Sequence, residues 1–411
     1  MPPAQAAAPA SHPSREVRLL LIGRGLRAAV DGFVAVLLPA YLLALGFDVW
    51  HVGVLSSATL LGSALMTLAV GRWGHRLPHG RLLRAAGLLM ALTGFAFAGL
   101  SAFWPLLLVA FVGTLNPSAG DVSVFLPLEH MRLANAVQGP AAQGPSRTTL
   151  FARYSLVAAL CAALGSLAAA APEALVRAGI GLLPALRGMF VVYGLAGVAI
   201  WLLYARLPPS DDDGPHAPPV PLRESRRIVA RLAALFSIDA FAGGLLVQSL
   251  LALWLFERFG LSLAQAATFF FWSGLLSALS QLAAPRVARR IGLLNTMVFT
   301  HIPASLALIA AAFAPSMQLA LGLLFVRAAL SQMDVPTRAA FVMAVVSPSE
   351  RSAAASYTAV PRSLASALSP SLGGALFAAG WLAAPLLACG VLKIAYDLTL
   401  LAMFRGVHAE E

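Results

Sequence analysis

Charge is what this sequence has least of: 11% of its 411 residues are Asp, Glu, Lys or Arg, where soluble domains carry roughly a quarter. Too few polar side chains are present to clothe a water-facing surface, which excludes a soluble fold of this length. Lysine is almost missing. Of 28 basic residues only Lys393 is lysine, and the arginines sit in short clusters, so the net charge of +11 is not the basic stripe of a nucleic-acid binder. The two cysteines, Cys161 and Cys389, lie in apolar runs and exclude a disulfide framework or a Cys-based metal site. No Gly-x-x-x-x-Gly-Lys-Ser/Thr loop, no His/Cys metal cluster and no nucleophile elbow is present. ATP hydrolysis is therefore not expected, nor a cofactor, a bound metal or an enzymatic activity.

What the sequence does have is apolar length. Hydrophobic residues make up 59% of the chain and the mean hydropathy is +0.82. They fall in blocks of about 20, enough to cross about 30 Å of hydrocarbon at 1.5 Å per residue. Helices are expected at 17–46, 50–70, 82–100, 103–128, 147–171, 183–205, 228–257, 262–284, 293–313, 316–346, 352–378 and 380–404. Pro39, Pro117, Pro127, Pro303, Pro336, Pro361 and Pro370 should kink or interrupt theirs. The fold class is an all-α membrane protein of twelve transmembrane helices in two six-helix bundles. Residues 1–16 are read as a tail without signal-peptide character, 17–206 and 228–405 as the bundles, 207–227 as a polar, Pro-rich linker and 406–411 as a second tail.

Arginine sets the orientation. Every second loop is basic: Arg15 and Arg18, then Arg72, Arg76, Arg81 and Arg84, then Arg132 and Arg147, Arg223, Arg226 and Arg227, Arg286, Arg289 and Arg290, and last Arg351 and Arg405. The intervening loops hold Arg177, Arg187 and Arg258. Positive residues stay inside, so both termini and the linker are expected in the cytoplasm. Heavy use of Ala and Arg is the habit of a GC-rich bacterial genome, which makes the expected location a bacterial inner membrane. The halves also resemble one another: Asp31-Gly-Phe33 pairs with Asp239-Ala-Phe241, Gly80-Arg-Leu-Leu83 with Gly292-Leu-Leu294, and Asp121-Val122 with Asp334-Val335, at nearly constant offset. Six-helix repeats of this kind are a transporter signature.

The loop after the second helix reads Gly71-Arg-Trp-Gly-His75-Arg76-Leu-Pro-His-Gly-Arg81. It resembles the major facilitator superfamily signature Gly-x-Leu-Ala-Asp-Arg-x-Gly-Arg-Arg-x, with Gly71, Arg76 and Arg81 in register. His75 stands where the family has its acid, Pro78 replaces the second glycine, and His79 and Gly80 replace the next basic pair. The resemblance implies a cytoplasmic gate loop, with His75 in place of the acid making it either weaker than the family's or dependent on a protonatable histidine. Pro370-Ser-Leu-Gly373-Gly374 in helix 11 is similar to the Pro-x-x-Gly-Gly run that the drug/proton antiporter branch carries in helix 5. The family's fold places helices 1, 4, 7 and 10 around a central cavity.

Ionisable residues at mid-bilayer cost about 2.5–3.5 kcal/mol each on insertion scales, so each calls for a role or a partner. Arg24, Arg27 and Asp31 fall within about 60° on helix 1, and Arg327, Asp334 and Arg338 within about 40° on helix 10. Asp121, Arg153, Asp239, Arg362 and the pair Lys393 and Asp397 complete the set. Asp334 with Arg338, and Lys393 with Asp397, stand four residues apart and could merely neutralise each other; Arg24 could snorkel to headgroups. His301 reads as a structural histidine, and Trp50, Trp104, Trp254 and Trp381 as outer-boundary anchors. Asp31, Asp121 and Asp239 are the coupling candidates, with Arg27, Arg153, Arg327, Asp334, Arg338 and Arg362 as cavity partners. The expectation is an alternating-access, proton-coupled secondary transporter of a small organic solute, acting as a monomer in the lipid bilayer, with export favoured. An uncoupled uniporter and a non-transporting membrane sensor remain the alternatives.

Overall fold

The computed structural model describes residues 15–73, 77–118, 123–135, 147–208, 222–347 and 350–405, without the side chains of 134, 135, 147, 148 and 352. Twelve spans are present. The first three are α1 (Arg15–Ala44), α2 (Val49–Trp73) and α3 (His79–Gly99). The fourth is α4 (Phe103–Val112) followed by α5 (Phe125–Asn135), and the fifth is α6 (Arg147–Ser166), continued through a 3-10 turn into α7 (Ala171–Arg177). Then come α8 (Leu182–Tyr204), the pair α9 (Arg226–Gly244) and α10 (Gln248–Phe259), and α11 (Leu263–Ile291). The last four spans are α12 (Leu293–Ala312), the pair α13 (Met317–Ser331) and α14 (Asp334–Val345), α15 (Arg351–Ala378) and α16 (Ala384–Phe404). Among the described residues ten helices are long and apolar enough to cross a membrane by themselves. The fourth span misses because it is cut in two, and α15 because Ser, Thr, Pro and Arg dilute it.

Three helices expected as continuous are broken: spans four, seven and ten. The breaks fall at Gly113–Pro117, after Gly243-Gly244, and at Gln332-Met333. After Gly243-Gly244 the apolar run continues while the backbone turns out of the helix, whereas Thr114, Asn116 and Pro117, and Ser331, Gln332 and Asp334, mark the other two breaks with polar residues and a proline inside otherwise apolar spans. Of the prolines singled out, Pro117 lies in a break. Pro127 and Pro336 take first-turn positions, where the missing N–H is not needed; Pro39, Pro303, Pro361 and Pro370 ride inside continuous helices. Unwound backbone at membrane depth is tolerated where it is buried in protein or lines a cavity.

The halves repeat the same packing. α1 lies on α6 as α9 lies on α15, α3 on α8 as α12 on α16, and α2 on α4 as α11 on α13. Small residues let backbones meet where no hydrophobic force separates helix from lipid. A Cβ on Gly165 would fall 1.8 Å from the Ala29 carbonyl oxygen, and one on Gly32 2.1 Å from that of Ala162. The outer surface is apolar, with Leu88, Leu92, Leu195, Leu279, Phe299 and Leu306 exposed, as lipid requires.

Both ends of the described chain lie at one end of the bundle, the terminal face. There Arg132 reaches Glu16 at 2.6 Å and the Pro208 carbonyl at 2.7 Å. On the same face Glu350 accepts the backbone N–H groups of Arg223 at 2.6 Å, Ser225 at 2.9 Å and Glu224 at 3.1 Å. These amides, Arg223 first, hold its carboxyl down at about 2.

At the opposite end the halves meet. Gly53 packs on Gly374 and the Pro370 carbonyl, Ser56 bonds Ser249 at 3.1 Å, and the Ser371 amide donates to Ser57 Oγ at 2.9 Å. The Ser249 amide donates to the Pro117 carbonyl, and Glu173 accepts the Ala264 amide at the start of α11. The Pro370–Gly374 run thus makes the crossing with α2. Toward the terminal face α2 and α15 part around a gap of about 50 Å³ lined by Ala64, Thr67, Leu68, Ala359, Val360 and Ser363. At the opposite end Trp50, Trp104 and Trp381 are exposed, as boundary anchors should be, but Trp254 is 1% exposed and packs against Phe259. It is a core residue, not an anchor.

Candidate functional site

Each half holds a buried cluster of charge. In the first half Arg27 of α1 grips Glu129 of α5 with two bonds, at 2.6 and 3.0 Å. The geometry is the bidentate fork that suits guanidinium to carboxylate. Tyr204 of α8 donates to the same carboxylate at 2.5 Å, and Tyr154 of α6 donates to it as well. The Phe125 ring lies 4.4 Å from the Arg27 guanidinium. Glu129 is 0% and Arg27 1% exposed, and both oxygens of the Glu129 carboxylate are bonded by protein. Arg24 does not snorkel. It is buried, 5.1 Å from the Tyr154 ring.

In the second half Asp239 of α9 takes Lys393 of α16 at 2.6 Å and Arg338 of α14 at 3.1 Å. Arg338 also contacts Asp334, its neighbour one turn back. His301 of α12 lies 3.0 Å from Asp397 of α16 through Nδ1, and 3.3 Å from Lys393 through Nε2. Lys393 and Asp397 therefore do not neutralise one another along α16; each turns to a different helix. The Asp334–Arg338 pair does form, but Arg338 extends it to Asp239. Asp239, Asp334, His301 and Asp397 are buried and Lys393 is half-buried.

The remaining residues are dispersed. Asp31 is half-buried on α1 within electrostatic reach of Tyr193, whose hydroxyl donates to the Thr114 carbonyl in the broken fourth span. Arg362 is exposed on α15, near enough to feel Arg338, Asp239 and Asp334. It sits off the stripe of exposed Leu368 and Leu372 and on the side of Ala359, which lines the gap between α2 and α15. Arg327 is half-buried on α13 beside Cys389. Among the described residues neither Arg327 nor Arg362 forms a hydrogen bond or an ion pair. Arg153 shares the face of exposed Leu160 and Leu164, about two and three turns along α6, which is the lipid side and not the cleft. Gly71 and Arg81 are exposed at the terminal face; Asp121, His75 and Arg76 lie outside the described residues.

Sequence reasoning missed Glu129, Tyr154 and Tyr204, and underrated His301. Arg24 and Arg27 on one inward face, with only Asp31 near in sequence, were the available sign that another acid must reach α1.

The fold and the chain have known counterparts. By structure the chain is similar to the nucleoside transporter NupG (TM-score 0.69, 17% identity, 95% of this chain and 99% of that one). It is also similar to a bacterial homologue of the human lysosomal transporter Spinster in an inward-facing, occupied conformation (TM-score 0.68, 18% identity, 95% and 96%), and to the human organic anion transporter MFSD10 (TM-score 0.66, 16% identity, 96% and 100%). In sequence it is similar to the uncharacterized membrane protein YJR124C of Saccharomyces cerevisiae, 24% identical over 97% of this chain and 96% of that protein. The model of the Major Facilitator Superfamily matches residues 20–330, and on that match this multi-pass membrane chain belongs to the Major Facilitator Superfamily of transporters.

Proposed function

We propose that this transporter moves a small organic solute bearing an anionic group, coupled to protons, by alternating access through the cleft between its halves. The observation that carries the reading is Arg362. It is an arginine without a counter-ion among the described residues, faces the cleft, and stands beside a network of Asp239, Asp334, Arg338 and Lys393. An uncompensated guanidinium at membrane depth is costly, and an anionic ligand supplies what it lacks. The similarity to an organic anion transporter points the same way. Asp239 is the coupling acid on this reading, with Asp31 and Asp121 as further candidates. When a rocking motion moves cations toward or away from such an acid, its proton affinity changes on opposite sides of the membrane. One charge moving down 100 mV supplies about 2.3 kcal/mol, or roughly a fiftyfold solute gradient, without ATP.

The same reading makes the terminal face cytoplasmic, supported by its basic loops, in a bacterial inner membrane. It takes 17–206 and 228–405 as the moving units joined by 207–227, the chain as a monomer, and export as the favoured direction, for which the Pro370–Gly374 run is the support. The test is uptake and counterflow in proteoliposomes with a panel of labelled organic acids and neutral nucleosides. Organic acids should accumulate under an imposed pH gradient. Asp239→Asn should abolish accumulation but keep counterflow, and Arg362→Gln should raise the half-saturating concentration at least about tenfold, the loss of one charge-assisted contact. Accumulation indifferent to collapse of the gradient would instead identify a uniporter.

A further inference from the structure

The seam between α12 and α16 contains a feature that its sister seam lacks. Where α3 packs on α8 the contact is made by Gly87, Ala91 and Gly94 against Gly194, Gly197 and Trp201, and residues 85–99 and 188–204 hold no Asp, Glu, His, Lys or Arg. The equivalent seam of the second half buries His301 and Asp397 against each other at 3.0 Å, with Asp397 0% exposed. Close packing of these two spans does not require a buried acid and base.

We propose that His301 and Asp397 form the proton-binding site of the transporter, with Lys393 as the latch that couples its occupancy to the cleft. This rests on the proton-coupled reading above and locates the proton one helix layer behind the cleft acids. The bonding pattern dictates the logic. An ammonium donates only, so at 3.3 Å from Lys393 Nζ the His301 Nε2 must accept. The imidazole is then neutral, with its proton on Nδ1 donated to Asp397. Among the described residues His301 is the sole hydrogen-bond donor to Asp397, so a buried carboxylate depends for its bonding on one imidazole, with Lys393 within electrostatic reach but not bonded to it. Three carboxylates (Asp239, Asp334 and Asp397) share the region with Arg338 and Lys393, and with Arg362 within electrostatic reach of Asp239 and Asp334, but among the described residues none of these cations bonds Asp397.

A proton taken from cleft water onto Nε2 turns the His301–Asp397 contact into an ion pair. One N–H bond forms, and the Lys393–His301 hydrogen bond breaks because both groups now donate. Lys393 is left with Asp239, tightening α16 on α9. Lys393 is the half-buried member of this set and lies beside Gly243 at the break of the seventh span. His301 is faced by Asp239 at 3.9 Å from α9, by Lys393, Tyr396 and Asp397 from α16, and through Asp239 by Arg338 and Asp334 from α14. Arg327 of α13 stands beside Cys389 of α16, and Arg286, Arg289 and Arg290 of α11 belong to its exposed end.

The test is a titration of the full chain in detergent, labelled at histidine and followed by NMR. One resonance, absent from His301→Gln, should change with pH. Its pH response should differ from that of the native chain in Lys393→Met, where the neighbouring cation is gone, and in Asp397→Asn, where the carboxylate is gone. Lys393→Arg keeps the charge and should leave the midpoint in place, which separates the electrostatic effect from misfolding. A His301 resonance that does not titrate in the native chain, or is unmoved in both Lys393→Met and Asp397→Asn, overturns the proposal. Accumulation that stays gradient-driven in His301→Gln also overturns it while leaving proton coupling intact. Accumulation that ignores the gradient while His301 titrates as expected removes the coupling reading and keeps the proton site.

Discussion

The two buried clusters occupy similar halves of one fold and are built to opposite ends. Glu129 receives two bonds from Arg27 and one each from Tyr154 and Tyr204. A carboxylate held by four bonds from three helices is rigidly placed. In the second half two cations (Arg338 and Lys393) are each shared between partners, Arg362 stands near without a bond among the described residues, and a histidine sits in the chain of contacts. Such a set has more than one arrangement of nearly equal cost. The first cluster therefore acts as a strut binding α1, α5, α6 and α8, and the second is the one able to respond.

The largest effect that could break this contrast is in the strut. Removing one member of a buried pair strands the other, so Arg27→Met should cost about 3–5 kcal/mol, read as a large drop in the melting temperature of purified protein. Combining it with Glu129→Leu should recover most of the loss. Transport that depends on pH as before in a surviving Arg27→Met/Glu129→Leu chain would confirm that the strut takes no part in coupling, whereas its loss would erase the distinction between the clusters.

An intermediate effect belongs to the meeting of the halves. A Cβ on Gly53 would lie 2.5 Å from the Pro370 carbonyl oxygen, and overpacking of this kind costs about 1–3 kcal/mol. Gly53→Leu should shift the population away from the closed arrangement by roughly five- to 150-fold. The rate of disulfide formation between Ser57→Cys and Ser371→Cys reports it. An unchanged rate would mean that this contact does not hold the halves together.

The smallest effect is at Glu350, which lies outside both clusters. Its carboxyl is held at about 2 against an ordinary value of 4.5 by the amides of Arg223, Ser225 and Glu224. A depressed value stabilises the fold fully above the ordinary pKa, and the contribution is lost as pH falls from there toward 2. Glu350→Gln should thus lower the melting temperature slightly at neutral pH and flatten its dependence between pH 5 and 3. Identical pH profiles for the two chains would show that the end of the linker is not fastened there.

Much of the architecture was legible because the bilayer imposes simple rules. Apolar blocks gave the spans, and paired residues such as Asp31 and Asp239 gave the repeat. Helix continuity was not legible at Gly243-Gly244, where hydropathy carries on through an unwound turn, and at Gln332-Met333 a short polar step in a long apolar span reads as part of one helix. Reading one helix over 103–128 placed Glu129 in a basic loop with Arg132, so the partner of Arg27 went unseen. For Lys393 and Asp397, four-residue spacing suggested a local pair. The spacing only guarantees a shared face, and which neighbour each side chain meets is decided by α9 and α12, far away in sequence.

The meeting of the halves has a kinetic consequence. Among the described residues its bonds run mainly between serine hydroxyls, glycine backbone and amides, with Glu173 the one carboxylate involved. Parting such a seal exposes no paired ions that must first be rehydrated, and added salt has little there to screen. The rate of interconversion between open and closed forms should be nearly indifferent to ionic strength, so any salt dependence of turnover would report on solute capture instead of on the swing of the halves.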